Sequence, residues 1–176
     1  MSLVKKFSPS PEIYITQYKY LFEFLRDLNL YKNWNSIMEV GTARGDGSLY
    51  LRERFPTAHI ETMEMPEPDE DHEIDLNELE SMLQEIQINL HKIASPPEFT
   101  WTRKYEFCCI DVSSKAQANI KNYLYWREYI ESGGVLCMVI PRSNEKKKRE
   151  KQKFIDYLNQ AEIEFTVVRE FFIFPI

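Results

Sequence analysis

Apolar residues fall into two rhythms along this chain. In the first, Tyr14, Tyr18, Leu21, Leu25 and Leu28 recur at helical spacing behind Ser10 and Pro11. Serine as N-cap and proline at the first helical position predict a helix from there to about Asn29, after a loose lead-in. The second rhythm is short apolar runs, Ile37 to Val40, His59 to Met63, Tyr105 to Ile110 and Val135 to Ile140, which read as buried strands. Helical patterns lie between them. Leu49 to Phe55 is one, and Asp75 with Glu78 forms a capping box opening another carried by Leu76, Leu79, Leu83 and Ile86. A third is capped by Ser113 or Ser114, with Ala116, Ile120, Tyr123, Leu124 and Arg127 spaced for packing. The fourth, from Asn144 to about Gln160, buries Phe154, Ile155 and Leu158. Near Ile86 the spacing changes to alternation through Ile88 and Leu90, predicting a strand at about Gln87 to Ile93; a helix continued to Leu90 satisfies the same residues. Ser132-Gly133-Gly134 predicts a tight turn, and Glu164 to Ile176 one or two further strands. Strands alternating with helices predict an α/β protein with a doubly wound, mostly parallel sheet, helices on both faces and its site at the strand C-terminal ends.

Composition adds bounds. A chain of 176 residues, 43% hydrophobic and 28% charged, is expected to form one globular domain spanning residues 1–176. No apolar run approaches the roughly 20 residues of a membrane helix, and Met1 to Lys6 lacks the apolar core of a signal peptide. The expectation is a cytoplasmic protein with no membrane partner. A net charge of −6 argues against nucleic acid as its main partner. That charge is uneven, with nine acids and no Lys or Arg from Glu64 to Glu80, against six basic residues from Lys146 to Lys153. Both stretches read as solvated surface, the basic one also as a face for an anionic substrate. Cys108, Cys109 and Cys137 sit in apolar segments without C-x-x-C spacing, and His59, His72 and His91 lack ligand spacing, so no zinc site is expected.

The candidate chemistry lies at Glu39-Val40-Gly41-Thr42-Ala43-Arg44-Gly45-Asp46-Gly47-Ser48. A strand, a glycine-rich turn and a helix start form a cradle for small molecules, because glycine lets backbone approach a ligand and the helix start presents free N–H groups. The glycines do not have G-x-G-x-x-G spacing, and G-K-[ST] is absent, which excludes a dinucleotide fingerprint and a P-loop. The segment Glu39 to Gly45 does match E-x-G-x-x-x-G, with Ala43 at the frequent middle glycine. In this the chain resembles class I S-adenosylmethionine-dependent methyltransferases, and is most similar to their small-molecule (catechol and sugar) O-methyltransferase branch. Gly47-Ser48-Leu49 stands where that branch has S-T-L. Gln17, Tyr105 to Asp111, and Trp126 through Gly133-Gly134-Val135-Leu136 complete the likeness.

The resemblance implies S-adenosylmethionine as cofactor. Gly41, Thr42 and Gly45 would lie against its methionine part, with Glu39 balancing the ammonium group. Glu64 would grip both ribose hydroxyls as a double acceptor, and Ser95 would lie near adenine. The branch uses a divalent metal held by an Asp after the fourth strand and an acidic pair after the fifth. Asp111 stands at the first place, but Val139-Ile140-Pro141-Arg142 offers no carboxylate at the second. One hard oxygen ligand does not hold Mg²⁺, so a metal-independent reaction is expected. Asp111 is then the candidate base or substrate contact. Lys115 stands one place beyond the position where relatives carry a Lys or His. The implied function is methyl transfer to a hydroxyl or amine of a small-molecule acceptor. A degenerate relative binding cofactor or a partner without turnover is a second reading. The third is an RNA ribose methyltransferase using Asp111, a lysine from Lys146 to Lys153 and Glu170. The first helix with Tyr14, Tyr18 and Tyr20, a second subunit in a homodimer, or a large substrate would close the acceptor side.

Overall fold

The computed structural model describes residues 12–66, 75–140 and 144–176. Ser10, Pro11 and most of the acidic stretch after Pro66 lie outside the described residues. The chain divides into two compact units, residues 1–95 and 96–176.

The first unit runs α1 (Glu12–Asp27), β1 (Ser36–Val40), α2 (Asp46–Arg54), β2 (His59–Glu64), α3 (Leu76–Glu85) and β3 (Ile88–Lys92). Its strands pair in parallel, β1 with β2 and β2 with β3, placing Glu39 beside Thr62 and Glu64 beside Lys92. Helix α1 ends where the sequence pattern does. The Leu30 and Tyr31 N–H groups close onto the Leu25 carbonyl, and Asn29 takes a left-handed φ of 56°. Leu21, Phe22 and Leu25 are buried with Trp34 and Phe55, and Phe22 meets Phe55 edge-on at 5.6 Å. Asp75 caps α3 as its spacing predicts, accepting from Asn77 N at 2.8 Å and Glu78 N at 3.2 Å.

The choice between strand and continued helix after Ile86 is settled by backbone geometry. Gln87 adopts φ 59°, which ends α3 and sets β3 at Ile88. A non-glycine residue in that region needs support, and Arg52 supplies it from α2. Its Nε donates to Ile86 O (2.9 Å), its Nη2 to Gln87 O (2.8 Å), and its Nη1 to Phe55 O (3.3 Å), Pro56 O (3.1 Å) and Ala58 O (2.8 Å). One planar fork thus ties the exits of α2 and α3 together.

The second unit runs β4 (Tyr105–Ile110), α4 (Ala116–Trp126), a 3₁₀ turn (Arg127–Tyr129), β5 (Ile130–Val139), α5 (Glu145–Gln160), β6 (Thr166–Val168) and β7 (Phe171–Pro175). β4 and β5 are parallel, β5 and β7 antiparallel, and β6 pairs with β7 as a hairpin. Several expectations need correction. Gly133 and Gly134 lie inside β5, which begins at Ile130 and not at Val135. Gly133 takes φ 77°, and a side chain on Gly134 would strike the carbonyl oxygens of Glu106 and Glu131 at 2.8 and 2.9 Å. The pair makes an irregularity in the β4–β5 register, held by Gly133 N–H on Ile176 O at 2.6 Å. Neither Ser113 nor Ser114 caps α4: its N-cap position is Lys115, with no side-chain bond. The cap comes from α5, where Glu150 accepts from Ala116 N at 3.0 Å, while Ser113 Oγ accepts from Lys115 N at 3.1 Å. Ala116 and Tyr123 are buried as their spacing predicts, but Leu124 is 44% exposed and Arg127 is exposed, and Asn119, Asn122 and Trp126 fill the buried face of α4. Ile155 is only half-buried, whereas Phe154 and Leu158 are fully covered. Among the described residues no helix is long and apolar enough to cross a membrane.

Replacing Arg52 by Met keeps its aliphatic packing and removes all of its donors. Destabilisation of roughly 2–3 kcal/mol is expected in urea unfolding, since carbonyls around the αL residue lose a charged partner. A change below about 0.5 kcal/mol would show the clamp to be incidental.

Candidate functional site

The first unit concentrates its unusual backbone in one turn. Gly41 (φ 96°), Ala43 (φ 47°) and Gly45 (φ 85°) all take left-handed conformations between β1 and α2. Two N–H groups, of Gly41 and Thr42, reach back to Met63 O at 2.9 and 3.2 Å, fastening the turn to the end of β2. Glycine adopts such angles freely, but an L residue at Ala43 costs about 1 kcal/mol. The offsetting contact is the Ala43 N–H donating to Glu64 Oε2 at 2.6 Å, while Glu64 Oε1 accepts from Met65 N–H at 3.0 Å. Glu64, half-buried at the end of β2, is thereby held against the turn.

Glu39 stands behind that turn, 3% exposed. Tyr18 Oη donates to its Oε1 at 2.8 Å, and Thr62 Oγ1 and Ser48 Oγ donate to its Oε2, the former at 3.0 Å. Burial pushes its carboxyl up to about 7, against the lowering pull of the three hydroxyls. Thr42 is buried too, donating to Met63 O at 3.0 Å and meeting the Thr62 hydroxyl. Helix α2 begins at Asp46, three residues before the Leu49 that the sequence pattern marked, with Gly45 as an N-cap lacking a side-chain bond. Gly47 is therefore a helix residue, and its lack of a side chain has a steric cause. A Cβ there would stand 2.1 Å from Glu39 Oε1 and 2.7 Å from Tyr18 Cε2. The other side of the turn is covered by α3, whose Met82 Cε and Leu79 Cδ1 would lie 2.6 and 3.0 Å from a Cβ on Gly45. Asp46, 3% exposed, has no hydrogen-bond partner on either carboxylate oxygen; Arg44 Nη2 lies 3.7 Å from its Oδ2.

The structure thus brings together Glu39, Gly41, Thr42, Gly45 and Glu64, all read from the sequence. Ser95 lies half-buried in the segment after β3. Asp111 follows β4 and Lys115 opens α4, both exposed and both in the second unit. The sequence reading assigned no role to Thr62 or Asp46, and it named Tyr18 and Ser48 without pairing either with Glu39. Thr62 alternates with the signalled Glu64 on β2, so period two could have paired it with Glu39. Among the described residues no group of three or more His, Cys, Asp or Glu is placed to hold a metal ion.

Between the ordinary value of 4.5 and about 7, the folded protein keeps a proton on Glu39 that the unfolded chain has lost. Stability therefore falls as pH rises through that window, by about 3 kcal/mol in all from this group. Glu39→Gln should flatten that part of the stability-against-pH curve; an unchanged slope in chemical unfolding would contradict the assignment. Gly47→Ala would ordinarily stabilise a helix by about 1 kcal/mol. Here it is expected to lower the melting temperature, because overpacking against Glu39 and Tyr18 costs about 1–3 kcal/mol.

No protein-family model matches the chain, and no curated protein matches it in sequence. Solved structures do match its fold. An O-methyltransferase from Bacillus cereus, solved in complex with SAH, is similar with a TM-score of 0.60 at 17% identity, over 88% of this chain and 79% of that one. A SAH-bound methyltransferase from Podospora anserina is similar with a TM-score of 0.63 at 15% identity, over 91% and 78%. An amino pentose methyltransferase from Micromonospora echinaspora, bound to SAM, is similar with a TM-score of 0.56 at 13% identity, over 77% and 53%. The chain has the Rossmann-like, mostly parallel α/β fold of the class I S-adenosylmethionine-dependent methyltransferases.

Proposed function

We propose that this chain transfers a methyl group from S-adenosylmethionine to a hydroxyl or amine of a small molecule, without a metal. The observation that carries the reading is the turn itself. Left-handed backbone at Gly41 and Gly45 opens the end of β1, and Glu64 is seated on the Ala43 N–H at the end of the neighbouring strand. With its two backbone bonds made, the Glu64 carboxylate keeps acceptor capacity for a pair of ribose hydroxyls. Similar folds in the Bacillus cereus and Podospora anserina structures hold SAH, the demethylated form of this cofactor.

The cofactor would supply a methyl group on a sulfonium, an electrophile that needs little beyond in-line positioning. Gly41, Thr42 and Gly45 supply backbone for its amino-acid part, and Ser95 a hydroxyl beside its adenine. Behind the turn Glu39 adds negative charge, and does so more fully as pH rises through about 7. Asp111 accepts the acceptor's proton as its oxygen or nitrogen gives up its lone pair, with Lys115 the alternative base. No carboxylate stands at 139–142 to complete a metal site with Asp111.

Titration calorimetry with S-adenosylmethionine and S-adenosylhomocysteine tests the proposal. Heat of binding is expected with both, and Glu64→Ala should weaken each about tenfold or more, for the loss of charge-assisted hydrogen bonds. Undiminished affinity in that variant would remove the ribose assignment. Absence of binding to either ligand would overturn the function.

A further inference from the structure

We infer that Asp46 is the residue that receives the ammonium group of the cofactor's amino-acid end. The inference rests on the reading that the turn binds S-adenosylmethionine.

Asp46 is 3% exposed, and neither of its oxygens has a hydrogen-bond partner. A buried carboxylate left in that condition is costly, and native proteins seldom keep one without a function that requires it. The compensation visible within the unit is small. Its place in the first turn of α2 sets it in the favourable end of the helix dipole, a small effect. Arg44 Nη2 is 3.7 Å away, beyond hydrogen-bond distance, on a side chain 52% exposed.

The other two acids at the turn are already engaged. Three hydroxyls occupy Glu39, and Tyr18 together with Gly47 closes over it. A carboxylate has about four lone-pair positions, so Glu39 retains about one. Glu64 is held by two backbone N–H groups at the Ala43 side of the turn. Asp46, at the opposite end of the turn where α2 begins, makes no hydrogen bond with either oxygen and has Arg44 Nη2 at 3.7 Å from its Oδ2. An ammonium group carries three donors and no acceptor, which is the complement of a bare carboxylate. Nothing in the E-x-G-x-x-x-G pattern requires an acid at this place, so the assignment belongs to this chain's own residues.

The test compares S-adenosylmethionine with 5′-deoxy-5′-methylthioadenosine, which keeps the adenosine and lacks the amino-acid end. Wild type, Asp46→Asn, Asp46→Ala and Glu64→Ala are titrated with both, and the melting temperature of each ligand-free protein is measured. Asp46→Asn and Asp46→Ala should bind S-adenosylmethionine about tenfold or more weakly, hold methylthioadenosine within about twofold of wild type, and melt higher without ligand. Glu64→Ala should weaken both ligands alike. If wild type binds and Glu64→Ala weakens binding, but Asp46→Asn binds S-adenosylmethionine as wild type does, the inference is overturned and the function stands. Equal loss of both ligands in the Asp46 variants, or a lower ligand-free melting temperature, would likewise make Asp46 a structural residue. Wild type binding neither ligand would remove the function and this inference together.

Discussion

The buried Glu39 carboxylate is the constraint around which the first unit is arranged. A carboxyl group 3% exposed needs donors, and the fold brings them from three elements: Tyr18 from α1, Ser48 from α2 and Thr62 from β2. Each donor fixes something else. Tyr18 pins α1 against the turn, with its ring stacked on Tyr50 at 6.1 Å. Ser48 sets how α2 leaves the turn, and Thr62 links the register of β2 to the end of β1 through the Thr42 hydroxyl. Gly47 follows from the same packing, because only a residue without a side chain leaves room for the Tyr18–Glu39 contact. A single buried charge site therefore explains why this glycine sits inside a helix, where its propensity is poor.

The parts of this arrangement legible in the sequence are those governed by local rules. Apolar runs marked the strands, and Asp75 with Glu78 marked the start of α3. The spacing from Glu39 to Gly45 marked the turn, and the acid ending the next apolar run marked Glu64. Contacts between residues distant in sequence were not legible. Ser113 and Ser114 offered a local cap for α4, but Glu150 on α5 takes the Ala116 N–H, a choice made by packing of two helices. Gly133-Gly134 looks like a turn by composition and lies within β5, because the antiparallel β7 brings Ile176 back onto it. The ambiguity after Ile86 had the same origin. Its resolution is the left-handed Gln87, stabilised by an arginine 35 positions away.

The basic run in α5 shows how a composition signal divides once side chains are placed. Lys151 is 6% exposed, donates to Arg169 O at 3.1 Å and lies over the Phe172 ring at 4.7 Å. Lys148 and Lys153 pair with Glu145 and Glu150 one turn away, at 2.6 and 2.5 Å. Half of the six cations are thus engaged in the helix and its packing. The segment is less of an anion-binding face than its composition suggested, which weakens the RNA reading that drew on it.

On the proposed function, the acids at the turn divide the work by what each has left to offer. Glu39 spends its acceptor positions on the fold and contributes charge at a distance. Glu64 spends two on backbone and keeps the rest for neutral hydroxyls. Asp46 spends none and suits a full cation. Such a set favours ligands in proportion to their positive charge, because fixed carboxylates in a partly desolvated turn act through a lower effective dielectric than water. Methyl transfer converts a sulfonium into a neutral thioether. On that function, the same electrostatics would hold the product less firmly than the reactant, and the reaction itself would loosen the ligand that has to leave.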